Sequence, residues 1–214
     1  MSRAPEQIPF ELLPCRPYSL DYFVSHSGVT VAMTAIEQAI DAVEKNSQHF
    51  ELLYLYGGAG SGKTHLISAY LEIVQSKRIA VERIDLEQVV AKDEGISQFI
   101  SLYEKQKSEG GLLFIESRLA PADVTANPHL SSRLLAGTIL QLDYPREEEL
   151  RPIVRSLLER NNLRIAERSI EYLFRRMPRE PLFFSELFAK ISRLSLRTNR
   201  PAKFTLIKDV LGGA

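Results

Sequence analysis

A short apolar run, Leu52-Leu53-Tyr54-Leu55-Tyr56, stops at Gly57-Gly58-Ala59-Gly60-Ser61-Gly62-Lys63-Thr64, and an amphipathic stretch from Thr64 to Val74 follows. An apolar run ended by glycines predicts a buried strand, and residues 64–74 predict a helix. Gly57 to Thr64 satisfies G-x-x-x-x-G-K-[ST]. Strand, glycine loop and helix in this order leave few folds open. Glycines reach backbone conformations closed to other residues, so successive N–H groups converge on phosphate oxygens, and the helix N-terminus adds partial positive charge. Lys63 is expected on the β- and γ-phosphates and the Thr64 hydroxyl on Mg²⁺. Gly57, Gly58, Ala59, Gly60, Ser61, Gly62, Lys63, Thr64 and the adjoining His65 form the expected cofactor-binding set of a nucleotide with Mg²⁺.

Further strands are expected at Ile79–Ile84, Leu112–Ile115 and Thr138–Leu142, with helices at Thr30–Val43 and Gly95–Lys107. In the first helix Val31, Ala35, Ala39 and Val43 recur every fourth residue, with Ile36 and Ile40 beside them. Strands alternating with helices predict a parallel sheet covered on both faces. Beyond Pro145 the strand signal stops, and 147–160, 167–177, 182–196 and 204–211 carry helical periodicity. The expected organisation is an extended, proline-bearing segment over 1–22, an α/β domain over 23–144 and a small all-helical domain over 145–214. Lys+Arg and Asp+Glu balance at 27 each, so the whole chain shows no preference for nucleic acid. Residues 1–144 hold 12 basic and 18 acidic side chains and the remainder 15 and 9, which suggests two parts with different surfaces. Cys15 is the single cysteine, which excludes a disulfide framework and fits a reducing cytoplasm. No apolar run approaches the ~20 residues needed to span a bilayer, so no membrane is expected. His26, His49, His65 and His129 lack metal-ligand spacing and read as structural.

The loop, with its continuation GGAGSGKTHL, resembles the bacterial replication initiator DnaA and its shorter relatives. Asp21-Tyr22-Phe23-Val24 is similar to the family's segment over the adenine, so Phe23 and Val24 join the expected nucleotide set. Glu116-Ser117-Arg118-Leu119-Ala120-Pro121 resembles the sensor-1 strand end. Leu130-Ser131-Ser132-Arg133-Leu134 resembles the motif carrying an arginine finger that acts in trans, and Arg179 falls at the sensor-2 position. The resemblance implies a P-loop AAA+ type three-layer sandwich with a helical lid, and ADP or ATP as the nucleotide. The sequence ends at Ala214, so the initiator's DNA-binding domain is expected to be missing. Gln7-Ile8-Pro9-Phe10-Glu11-Leu12 is similar to the peptide by which regulatory inactivators of DnaA bind the DNA polymerase sliding clamp. An extended peptide of this kind places Ile8, Phe10 and Leu12 in an apolar groove while Gln7 bonds at its rim. The alternative is that Ile8 and Phe10 pack on the protein's own sheet. The partners implied are the clamp and the initiator DnaA, with a homodimer left open.

Hydrolysis by a P-loop ATPase needs an acid near the phosphates and another that orients water. About 25 residues separate Ile84 from Leu112, so one βα unit of the family is expected to be missing. No strand ends in an acid pair, and Arg83 follows Glu82 where a second acid is expected. Glu82, Asp85 and Glu116 are the candidate acids, the first two only if their strand lies beside the loop. Intrinsic hydrolysis is expected to be weak or absent. Arg133 reads alternatively as a surface ion pair beside the turn at 128–134. The rival functions are a helicase loader, a small-molecule kinase and a degenerate nucleotide-binding scaffold.

Overall fold

The apolar run around Leu53 becomes strand β1, Phe50–Tyr56, an interior member of a four-stranded parallel sheet. The structure is a computed structural model and describes residues 18–92, 94–124, 127–198 and 201–212. The other strands are β2 (Val81–Asp85), β3 (Gly111–Ser117) and β4 (Thr138–Gln141), in the spatial order β2-β3-β1-β4. The β2 strand therefore lies at the edge, separated from β1 by β3. Glu82 and Asp85 do not end beside the loop, and the strand that does so carries Glu116, opposite Leu55.

Alternation along β1 and β3 builds two cores at once. Leu53, Leu55, Leu112 and Phe114 face helices α1 (Thr30–Lys45) and α2 (Lys63–Ser76). Leu52, Tyr54, Leu113 and Ile115 face the other way, with α3 (Leu86–Val90), α4 (Gly95–Glu109) and α5 (Pro128–Leu135) on that side. The result is the expected three layers. Within α1 the buried stripe is Ala32, Ile36, Ala39, Ile40 and Val43, spaced i, i+4, i+7, i+8 and i+11. Val31, counted in the stripe from spacing alone, is 76% exposed, because the helix turns about 100° per residue and Ala32 takes the inward position.

Two short helices escape periodicity. The Asp85 side chain accepts from the Gln88 backbone N–H at 3.3 Å and caps α3. Asn127 accepts from His129 and Leu130 at 2.8 and 3.3 Å, and Pro128 opens α5, so residues 128–134 are helical where a turn is expected. Leu20–Tyr22 likewise forms a 3-10 turn instead of extended chain.

After a 3-10 turn at Glu147–Glu149 come α6 (Leu150–Arg160), α7 (Glu167–Arg176), α8 (Pro181–Thr198) and α9 (Phe204–Gly212). They share their own core, centred on Val154, Leu173, Phe184, Phe188 and Leu206. Glu149, Ser156 and Arg160, which lies over the Tyr18 ring, join this bundle to the segment before α1. Glu149 accepts from the Ser27 backbone N–H at 2.8 Å and its hydroxyl at 3.0 Å, and Ser156 donates to the Tyr22 carbonyl at 2.6 Å. Among the described residues no helix is long and apolar enough to cross a membrane.

Candidate nucleotide-binding cleft

Gly57, Gly60 and Gly62 have φ of 153, 82 and 96°, which turns the chain from β1 into the start of α2. The first N–H groups of that helix have no intrahelical partner and face the loop's concave side. The Lys63 ammonium is buried and donates to the carbonyls of Gly57 (2.7 Å) and Gly58 (2.9 Å) and to the Ser61 hydroxyl (3.3 Å). Burial pushes its pKa down, while Glu116 and Glu87 oppose that shift and Arg118 reinforces it. Tyr144 clasps the loop from the linker by donating to the Ala59 carbonyl at 2.7 Å.

A cleft of about 290 Å³ opens between this loop and the helical bundle. Gly60 to His65 form one wall, Tyr22, Phe23, Val24 and His26 a second, and Ile153, Leu157, Arg160 and Leu182 a third. Phe23 and Val24 thus line the same cleft as the loop. His65 meets Tyr18 at a tilt and Phe23 edge to face, at 4.8 and 5.0 Å between ring centroids. Burial first, then the nearby Arg160 charge, push its pKa down to about 4, against a hydrogen bond with the Ser19 backbone. The ring is therefore neutral at pH 7, and its Nε2 is buried with no hydrogen-bond partner. An apolar, aromatic chamber with one orphaned ring nitrogen, leading to a loop of glycines and a lysine, fits an adenine nucleotide.

The acids near Thr64 are held by partners within the chain. Thr64 donates its hydroxyl proton to Glu116 Oε2 at 2.8 Å. Glu116 Oε1 accepts from Arg83 Nε at 3.0 Å and Nη2 at 2.5 Å, and Arg83 also donates to Ser68 at 3.2 Å, one turn along α2. Asp85 is engaged as a helix cap, and Glu82 is exposed on the edge strand. Glu87 accepts from the Ser117 hydroxyl and the Arg118 N–H at 3.1 and 2.7 Å. Among the described residues no group of three His, Cys, Asp or Glu side chains gathers as a metal cage. Toward Mg²⁺ the chain offers the Thr64 hydroxyl, beside Glu116, which accepts from Thr64 on one oxygen and from Arg83 on the other.

Two expected site residues lie outside the cleft. Arg133, on α5, binds Glu104 through Nε (3.1 Å) and Nη2 (2.6 Å), donates to the His129 carbonyl at 3.0 Å and lies over the Tyr103 ring. Arg179 pairs with Glu147 and lines a separate hollow with Arg151, Glu171 and Arg175. The ion pair turns its guanidinium there, and it does not join the residues around the loop. Gln7, Ile8, Phe10 and Leu12 lie outside the described residues. Arg83, Glu87 and Arg160 were not among the expected site residues. For Arg83 a signal existed, since strand alternation puts residues 82 and 83 on opposite faces.

Residues 15–109 match the family of bacterial DnaA ATPase domains. An uncharacterized protein of Haemophilus influenzae is 24% identical over 80% of this chain and 87% of its own length. A chromosomal replication initiator protein DnaA of Chlamydia pneumoniae is 24% identical over 61% of this chain, which spans only 36% of that initiator. Domain III of the Thermotoga maritima DnaA superposes with a TM-score of 0.70 at 20% identity, covering 94% of this chain and 98% of that one. The AMPPCP-bound DnaA of Aquifex aeolicus gives 0.64 at 16% identity over 83% and 65%. The RuvB branch-migration motor of Thermotoga maritima gives 0.59 at 17% identity over 92% and 72%. The fold is that of the P-loop AAA+ proteins.

Proposed function

We propose that this chain regulates the initiation of chromosome replication. It binds ADP or ATP in the cleft, docks on the DNA polymerase sliding clamp through Gln7 to Leu12, and stimulates ATP hydrolysis by the initiator DnaA through Arg133. The observation that carries this reading is the separation of two cationic sites. Lys63 sits inside the chain's own cleft, whereas every contact of Arg133 is with α4 or α5 and none is with a cleft residue. A guanidinium held away from its own nucleotide is available to a neighbour's triphosphate, where such a group contributes orders of magnitude in rate. The likeness to the DnaA ATPase domain supports the choice of neighbour. Thr64 is the residue that would meet a Mg²⁺ ion brought in by the nucleotide. The test pairs two variants. Arg133→Ala should keep clamp binding and abolish stimulated hydrolysis by the initiator, and combined Gln7, Ile8 and Phe10 replacement by Ala should lose the clamp. Undiminished stimulation by the first variant, or undiminished clamp binding by the second, removes that half of the reading.

A second reading is favoured by the Arg83–Glu116 pair. The cleft then holds nucleotide as a structural ligand, with no turnover, and the chain acts as a scaffold. Initiator-stimulation assays separate the two.

A further inference from the structure

We propose that Arg83 is the resident counter-cation at the phosphate end of the cleft, so that adenine nucleotide binds there without depending on a divalent metal ion. The inference rests on the nucleotide-binding reading and concerns the charge balance of that same site. Glu116 is the one acid that touches the loop's threonine, and its side chain is 10% exposed. A buried carboxylate facing incoming phosphates repels them unless a cation intervenes. In this chain the cation is covalently supplied. Arg83 reaches Glu116 Oε1 with two N–H groups, a forked geometry suited to a carboxylate, and Ser68 holds its third nitrogen. Glu116 Oε2 also accepts from the Thr64 hydroxyl, so the carboxylate is held between the arginine and the loop. The site's acid is therefore neutralised before any ligand arrives. Strand order makes this possible: β2 lies beside β3, and Arg83 shares the α2-facing side of the sheet with Phe114, its partner in register.

The charge logic predicts the behaviour of variants. Arg83→Gln leaves Glu116 anionic beside the phosphates and restores a demand for metal. Arg83→Gln combined with Glu116→Gln removes both charges and with them the demand, which a merely structural role for Arg83 does not predict. Arg83→Lys keeps the charge but not the fork, so it should keep the parent's indifference to metal even where its overall affinity differs.

Isothermal calorimetry with ATP, in EDTA and in excess Mg²⁺, decides the matter on the full chain. The parent and Arg83→Lys should differ less than about threefold between the two conditions, and Arg83→Gln should weaken at least about tenfold in EDTA relative to Mg²⁺. The double variant should again show little difference. A parent that loses tenfold or more in EDTA overturns the inference, and so does an Arg83→Gln chain as indifferent to metal as the parent. The parent measurement stands even if a variant fails to fold. Absence of ATP binding in both buffers overturns the nucleotide reading itself, a result distinct from metal dependence.

Discussion

Thr64 and Glu116 are 52 residues apart in the chain, yet the threonine hydroxyl donates to the glutamate carboxylate at 2.8 Å. The contact exists because β3 lies directly beside β1, which brings the end of one strand against the helix launched from the other. Thr64→Val keeps the shape and removes the donor. The loss is expected to be about 1.5–3 kcal/mol, the net worth of a hydrogen bond to a charged group. Urea titration checks it, and an unchanged midpoint would show that water replaces the hydroxyl at no cost.

Lys63→Ala removes the one ammonium inside the loop. ADP affinity should fall about ten- to a hundredfold, the value of one or two charge-assisted hydrogen bonds. Calorimetry measures the affinity, and circular dichroism confirms that the fold survives. Retention of parental affinity would mean that the phosphates bind elsewhere.

Stability should depend on pH through His65. Its folded pKa is pushed down to about 4, below the ordinary histidine value of 6.5, so between these values the unfolded chain holds the extra proton. Stability is therefore complete above pH 6.5 and falls as the pH drops toward 4, by at most about 3 kcal/mol. His65→Gln should flatten that limb of the curve. An equally steep acid limb in the variant would move the effect to other groups, with His26, also lowered by burial, the first to test.

Gly60 combines a φ of +82° with a close neighbour, since a Cβ placed there would lie 2.6 Å from the Leu182 Cβ of the helical bundle. Gly60→Ala should cost about 1–3 kcal/mol from backbone strain and displace α8. Combining it with Leu182→Gly, which removes the Cβ it would meet, should recover the steric part and leave the strain. Thermal unfolding of the single and double variants separates the two contributions.

The Arg133–Glu104 pair is only partly open to solvent, with Glu104 52% and Arg133 23% exposed. Replacing either residue by Ala should change stability by less than about 1 kcal/mol. A loss well above 2 kcal/mol for Arg133→Ala would identify the arginine as a fold-stabilising residue instead of one directed at a partner.

Much of this molecule could be read along the chain because the relevant physics is local. Alternating strand and helix periodicity marks the sheet and its covering helices, and a glycine loop between Tyr56 and the next helix marks one wall of the cleft. Phe23 and Val24 came from family likeness alone. Charged side chains were the least legible. Which acid meets Thr64 depends on strand order, and β3 rather than β2 occupies the position beside β1. Which of Glu82 and Arg83 faces α2 depends on the phase of a strand whose edge position no local pattern reveals. Arg179 is turned aside by Glu147, and Arg160 enters the cleft because the bundle packs its helix there. Periodicity reports which face of a segment is apolar; the partners of a charge are fixed by residues far away in the chain, so they emerge only when the sheet and the bundle have closed around them.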